Sequence, residues 1–310
     1  MTHIAVLAAT HRGLRFVQRL ARLKPQAQLT VFSFREEAHE PPFLDAIRAL
    51  AEAHGAQFVE TKQVHSDKYA SFWKESPPDL LFSVNWRYLI PRSVYTCPPR
   101  GTFVFHDSLL PAYRGFSPTV WAMINGEDHT GVTLFEIADE VDSGAIVDQQ
   151  RVPIGPQDTI AEVIERVTVT YLNLLESNLD ALLDGTAPRT IQDHSKATFT
   201  SKWLPEDARI DWNWPARRIA NMVRATTRPY PGAFTTLTAH KLTIWEAHVL
   251  EPAPKYVGRV PGRVIAFEPG GEAVVLAGEG ALRLTSVQVE GGSEVPAGDV
   301  LNRLSLTLGR

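Results

Sequence analysis

Apolar and polar positions along the first hundred residues alternate between two periods. Apolar runs at 4–8, 29–34, 58–60 and 79–84 read as buried strands, and the stretches between them, 11–22, 42–54, 66–75 and 91–95, carry helical spacing. Strands alternating with helices predict a Rossmann-like α/β fold built on a doubly wound, mainly parallel sheet. The run 101–106 reads as one more buried strand. It would deliver His106 to a strand's C-terminal end, where open α/β sheets bind ligands. Beyond it, 118–125 predicts a short helix and 130–136 and 145–151 predict strands. The stretch 159–183 predicts one long amphipathic helix with Ile160, Val163, Ile164, Val167, Tyr171 and Leu174 on its apolar stripe, stopped by Asp184-Gly185.

The pattern changes near residue 200. The segment 190–206 is polar and irregular, 216–226 reads as a helix, and then short strands follow at 233–237, 241–249, 258–267, 273–276 and 281–289, separated by Gly and Pro. This predicts two domains, 1–200 and a smaller β-rich 201–310. Gly270-Gly271 and Gly291-Gly292 read as turns, because neither pair sits between a strand and a helix as a phosphate loop requires.

Composition narrows the class. With 310 residues, 44% of them hydrophobic, the chain can fill two cores. Its one cysteine, Cys97, excludes an intrachain disulfide, and no run approaches the roughly 20 apolar residues of a membrane span. The N-terminus enters an apolar strand directly, without a basic region or cleavage site, so the expected setting is a reducing cytoplasm. A net charge of −4 gives no overall footprint for a polyanion, and Arg12, Arg15, Arg19 and Arg22 read as the solvated face of the first helix.

The chemistry concentrates in 101–119, Gly-Thr-Phe-Val-Phe-His-Asp-Ser-Leu-Leu-Pro-Ala-Tyr-Arg-Gly-Phe-Ser-Pro-Thr, and in Val141-Asp142-Ser143-Gly144. A histidine held by a carboxylate is oriented for proton transfer, which makes His106 and Asp142 the candidate catalytic pair. The plainer roles are a turn cap for Asp142, a local backbone cap for Ser108 and an exposed loop carboxylate for Asp107.

These segments resemble the active-site signature of the formyltransferases, which runs roughly N-x-H-x-S-L-L-P-x-x-x-G and then D-x-G. The resemblance extends to Asn221-Met222-Val223-Arg224-Ala225 and Pro229-Tyr230-Pro231-Gly232-Ala233-Phe234, which are similar to the second domain of methionyl-tRNA formyltransferases. Leu110-Pro-Ala-Tyr-Arg-Gly115 and Asn125-Gly-Glu-Asp-His-Thr-Gly131 are still more similar to the domain that formylates UDP-4-amino-4-deoxy-L-arabinose. It implies an OB-like C-terminal domain and 10-formyltetrahydrofolate as formyl donor, with no metal. Backbone atoms of Tyr88, Leu89 and Ile90 and the loop Ala138, Asp139, Glu140 and Val141 would bracket the pterin. The implied partner is a small-molecule amine acceptor, such as a nucleotide amino sugar or an amino-acid-derived precursor, rather than tRNA or a membrane. A monomer or homodimer fits equally.

Two departures stand out. Val104 occupies the place of the signature's asparagine, and Phe116 replaces an arginine of the sugar-nucleotide relatives. A valine side chain neither donates nor accepts, and loss of one oxyanion donor costs about 10²–10³ in rate. Another donor such as Asn85, an ordered water or the substrate would have to fill the gap. Otherwise the same scaffold uses a different donor as an altered acyltransferase or one-carbon enzyme, or serves as a catalytically quiet binding protein.

Overall fold

A computed structural model of the chain describes residues 1–37 and 40–310. The chain divides into two compact units. The first comprises Met1–Gly115, Gly131–Val152 and Arg166–Phe199, and the second comprises Phe116–Thr130, Pro153–Glu165 and Thr200–Arg310.

In chain order the elements begin β1 (His3–Ala8), α1 (Thr10–Leu23), β2 (Gln28–Ser33), α2 (Leu44–Ala53), β3 (Gln57–Glu60), α3 (Ala70–Glu75), β4 (Leu80–Val84), α4 (Arg92–Tyr95) and β5 (Thr102–His106). They continue with β6 (Arg114–Gly115), α5 (Pro118–Asn125), β7 (His129–Glu136), β8 (Ile146–Pro153), α6 (Ile160–Asp184) and β9 (Phe199–Thr200). The first unit is built on a seven-stranded sheet in the order β3-β2-β1-β4-β5-β7-β8. Strands β1 to β5 run parallel to their neighbours, and β7 is antiparallel to β5. The order runs outward in both directions from β1, so the C-terminal ends of β1 and β4 form the switch point at which such sheets open a crevice.

Each sheet face has its own core. On one face Ala5, Leu7, Phe32 and Leu81 pack with Val64, Trp73 and Val94. On the other, Phe16 of α1 meets the rings of Phe82 at 5.3 Å and Phe105 at 5.2 Å, and Phe105 stacks on Tyr171 of α6. Helix α1 is held by the stripe Phe16, Val17, Leu20 and Ala21, all buried, as its 3–4 spacing dictates. Helix α6 ends at Asp184, where Gly185 takes a φ of 74°.

The second unit contains α7 (Ala216–Thr226), β10 (Ala233–Leu237), β11 (His240–Val249), β12 (Val264–Glu268), β13 (Glu272–Leu276), β14 (Ala281–Val289), β15 (Glu294–Pro296) and α8 (Ala297–Val300). Its strands form an antiparallel sheet in the order β10-β11-β14-β13-β12, with β15 pairing β14. A register shift on β11 around Trp245 bends the strand. The expected strand at 258–267 begins only at Val264, because Gly258, Pro261 and the positive-φ Gly262 interrupt the extended run. Gly270-Gly271 turns β12 into β13, as its position predicts. No helix among the described residues is long and apolar enough to cross a membrane.

Candidate active site

The period of two along β5 sorts its side chains onto opposite faces of the sheet. Thr102, Val104 and His106 share one face, while Phe103, Phe105 and the following Asp107 belong to the other. His106 is 8% exposed. Its Nε2 lies 2.7 Å from the carbonyl oxygen of Tyr113. A carbonyl only accepts, so Nε2 carries the hydrogen, leaving Nδ1 as the nitrogen able to exchange a proton. Nδ1 faces Asp142 Oδ2 at 3.6 Å.

Asp142 is fixed from two directions. Its Oδ2 accepts the Gly115 N–H at 2.7 Å, so the carboxylate holds the loop after His106 instead of capping its own turn. Its backbone carbonyl accepts from Gln192 Nε2 at 2.8 Å, and the same amide nitrogen donates to the Gly144 carbonyl at 2.7 Å. Gln192 Oε1 in turn accepts from Arg114 Nε at 3.2 Å and Nη2 at 2.5 Å. Both Gln192 and Arg114 are buried. Gly144 is required by space, since a Cβ there would sit 1.6 Å from the Glu136 carbonyl oxygen.

The loop that carries Tyr113 is locked onto β7. Thr133 Oγ1 donates to the Ser108 carbonyl at 2.6 Å and accepts from the Leu110 N–H at 3.0 Å and from Gln149 Nε2 at 2.8 Å. Ser108 Oγ donates to the Ala112 carbonyl at 2.6 Å, the local backbone role.

Behind β5 lies a second cluster that overturns two expectations. Arg12 is not part of a solvated face: it is 6% exposed, and its Nη1 donates to both Asp107 carboxylate oxygens at 2.8 and 2.9 Å and to Asn85 Oδ1 at 3.0 Å. Its Nε donates to Thr168 Oγ1 at 3.2 Å, and its guanidinium lies over the Tyr171 ring. Asp107 is likewise no exposed loop carboxylate. It also accepts from the Tyr171 hydroxyl, whose oxygen lies 3.1 Å from the Phe105 carbonyl oxygen.

Burial alone would favour neutral groups here, raising the Asp107 carboxyl, but the Arg12 charge and the Tyr171 hydrogen bond outweigh it and hold the carboxyl below its ordinary range. For Arg12, burial works against the charge, and Asp107 outweighs it so that the guanidinium is held more firmly protonated. Burial and then Asp107 push the Tyr171 phenol well up.

Asn85, the expected replacement donor for position 104, belongs to this same cluster. Its Nδ2 donates to Thr10 Oγ1 at 3.1 Å while its Oδ1 accepts from Arg12. The non-glycine residues of the first unit with positive φ among the described residues are Thr10, Asn85, Tyr113 and Asp142, and all four surround His106 or its supporting cluster. Backbone held in this region by non-glycine residues concentrates where structure is spent on function.

The segment Tyr88, Leu89 and Ile90 leaves β4 and leads into α4. Tyr88 packs edge-on against Phe34 at 4.8 Å and Ile90 joins the core, while Leu89 is 78% exposed. Backbone N–H and C=O groups of these three residues make no hydrogen bond to other described backbone groups. Arg92 and Tyr95 of α4 bind the Asp139 carboxylate, which brings the loop of Ala138, Asp139, Glu140 and Val141 to the helix that follows Ile90. Glu140 closes a turn through its carbonyl to Ser143, and Val141 is exposed. Among the described residues no group of three or more His, Cys, Asp or Glu could hold a metal.

Sequence reasoning missed Gln192, Arg114 and the Tyr113 carbonyl. Gln192 and Arg114 lie 78 positions apart, and only the fold joins them. Arg12 did carry a signal: it stands four and eight residues before Phe16 and Leu20, on the buried stripe, whereas Arg15, Arg19 and Arg22 follow the other stripe.

A family model described as formyl transferase matches residues 17–178, and one described as formyl transferase, C-terminal domain, matches 202–305. Among solved structures, HypX from Aquifex aeolicus in complex with tetrahydrofolic acid superposes with a TM-score of 0.62 at 19% identity, covering 97% of this chain and 47% of that one. The chain therefore spans about half the length of HypX. An N-formyltransferase from Helicobacter canadensis, solved with folinic acid and dTDP-3-aminofucose, gives a TM-score of 0.67 at 16% identity and covers 92% of this chain and 99% of that one. Methionyl-tRNA formyltransferase from Clostridium thermocellum gives 0.60 at 16% identity, covering 81% and 95%. At these identities the likeness is one of fold.

Proposed function

Because this chain belongs to the formyl transferase family, we propose that it moves a formyl group from 10-formyltetrahydrofolate to the nitrogen of a small-molecule amine, a nucleotide amino sugar or an amino-acid-derived compound. The observation that carries this reading is the buried His106, with Nε2 on the Tyr113 carbonyl and Nδ1 facing an Asp142 that is itself fixed by Gly115 and Gln192. The amine nitrogen adds to the formyl carbon and the carbonyl electron pair moves onto oxygen. When the carbonyl re-forms, the bond from carbon to N10 breaks, and the proton given up by the amine ends on N10. His106 Nδ1 is placed to carry that proton, and Asp142 to compensate the charge of the ring while it does so.

The chain's own residues suit a folate as the donor substrate. Tyr88, Leu89 and Ile90 offer backbone donors and acceptors that no other described backbone group uses, so these groups are free to bond water or a ligand. The exposed Leu89 and Val141 supply apolar surface on the two segments that would flank a flat pterin ring. The neighbours solved with tetrahydrofolic acid and folinic acid support the same donor. An acceptor smaller than tRNA is favoured by the net charge of −4.

The test is turnover of 10-formyltetrahydrofolate by the purified protein, followed through folate absorbance while a panel of amino sugars and amino acids is offered. Release of tetrahydrofolate coupled to a formylated amine is expected, with His106→Ala and Asp142→Ala abolishing turnover while folate binding persists. Absence of any folate binding would sink the reading and point to another donor on the same scaffold.

A further inference from the structure

Addition of an amine to a formyl carbon places negative charge on the formyl oxygen, and a preorganised donor aimed at that oxygen is worth about 10²–10³-fold in rate. Val104, two residues before His106 on the same face of β5, has no hydrogen to give. Asn85 is turned toward Thr10 and Arg12. On this face of β4 and β5, one polar strand side chain makes no hydrogen bond among the described residues.

Ser83 stands opposite Val104 in the parallel register of β4 and β5, as Leu81 stands opposite Thr102. Opposed residues of a parallel pair project from the same face of strands about 4.8 Å apart, so Ser83, Val104 and His106 form one small surface. Leu81, one step earlier on that face of β4, is sealed in the core with Trp73 and Val94. Ser83 is where this apolar face turns polar. It is 4% exposed, and its hydroxyl makes no hydrogen bond among the described residues. Ser83 Oγ is not among the fully sealed polar atoms that lack a partner, so it keeps an opening to solvent, and a hydroxyl with no protein partner is completed there by water or ligand.

We propose that Ser83 Oγ–H is the hydrogen-bond donor to the formyl oxygen during transfer, doing from β4 what the side chain at position 104 of β5 does not. The proposal rests on the formyl-transfer reading above. Ser83 keeps its proton throughout. It accepts no bond to carbon, and its hydrogen bond strengthens as the oxygen gains charge and relaxes when the carbonyl re-forms. Val104 makes the surface beside it apolar, so fewer polar groups compete with a single neutral donor there.

The experiment compares the wild-type protein with Ser83→Ala and Ser83→Thr, using 10-formyltetrahydrofolate as donor and hydroxylamine as a small nucleophile of defined chemistry. Ser83→Ala should lower kcat about 10²–10³-fold with donor affinity little changed, and Ser83→Thr, which restores a hydroxyl at the same place, should recover most of it. Infrared difference spectra of bound donor carrying a ¹³C-formyl label read the contact directly. The carbonyl stretch should sit at lower wavenumber in wild type and Ser83→Thr than in Ser83→Ala. Thermal unfolding of each variant shows whether the fold survives the change. Equal kcat and an equal carbonyl stretch in wild type and Ser83→Ala would overturn the role of Ser83 while leaving formyl transfer standing. A wild-type protein that binds no formylfolate would fail at the earlier step, and both readings would fall together.

Discussion

Asp107 and Arg12 sit back to back with His106, and the physics of a buried pair predicts what happens when one member goes. Asp107→Ala strands the Arg12 guanidinium, whose side chain is 7% exposed, beside an apolar ring stack. Breaking such a pair costs about 3–5 kcal/mol, whereas replacing both members by apolar groups of similar volume is often neutral. Urea unfolding should therefore show Asp107→Ala strongly destabilised and Arg12→Met/Asp107→Leu much less so. Equal losses in the two would mean that the pair acts through shape and not charge.

The same carboxylate makes a pH-dependent contribution with a defined sign. Its folded-state pKa lies below the ordinary value near 3.9. The stability it supplies is thus fully present above about pH 4 and is lost as pH falls through the depressed folded value. The gap between wild type and Asp107→Asn should narrow only in that acid window. Both residues were legible by period: Arg12 by its 3–4 relation to Phe16 and Leu20, Asp107 by falling on the Phe103 and Phe105 side of β5. What hid them was the expectation that charge belongs outside, which holds until a charge finds a partner.

At the scale of elements, the sequence carried what is local and lost what is not. The strands of the parallel sheet and helices α1, α5, α6 and α7 follow from periodicity and punctuation, and α7 and β10 match at both ends. The three-residue β15 and four-residue α8 are too short to establish a period. The clamp on Asp142 was unreadable for a different reason. It joins residues 114, 142, 144 and 192, in three separated segments of the chain, through one side-chain amide.

That clamp predicts a loss of catalysis with folate binding retained. Gln192→Leu fills a similar volume but leaves the Asp142 and Gly144 carbonyls and the Arg114 guanidinium without their shared partner, at about 1–3 kcal/mol for each buried group left unsatisfied. Freed of that restraint, Asp142 should wander from His106 Nδ1. We expect faster amide exchange at 142–144 and a kcat that falls more than donor affinity does. Unchanged exchange at those amides would show that the backbone holds the loop without Gln192.

On the scale of the whole molecule, charge separates the acceptors that the local site leaves open. The catalytic pair treats any unprotonated amine alike, so the acceptor is selected by what surrounds it, and fold likeness reaches both an N-formyltransferase solved with a nucleotide amino sugar and a methionyl-tRNA formyltransferase. A tRNA acceptor must be held largely through phosphates, and each neutralised phosphate steepens the loss of affinity with salt, amounting to about 10³–10⁵ between roughly 50 and 200 mM for six to ten contacts.

A chain with 31 basic against 35 acidic residues has little spare positive charge for that purpose, and several arginines are already committed: Arg12 to Asp107, Arg19 to Glu176, Arg189 to Glu136 and Arg228 to Glu294. A nucleotide sugar presents only a diphosphate, so its salt dependence is shallow. The expected outcome is a kcat/KM for the true acceptor that changes only modestly across that salt range. A steep fall, together with competition by uncharged tRNA, would transfer the assignment to tRNA while leaving the roles of His106 and Asp142 intact.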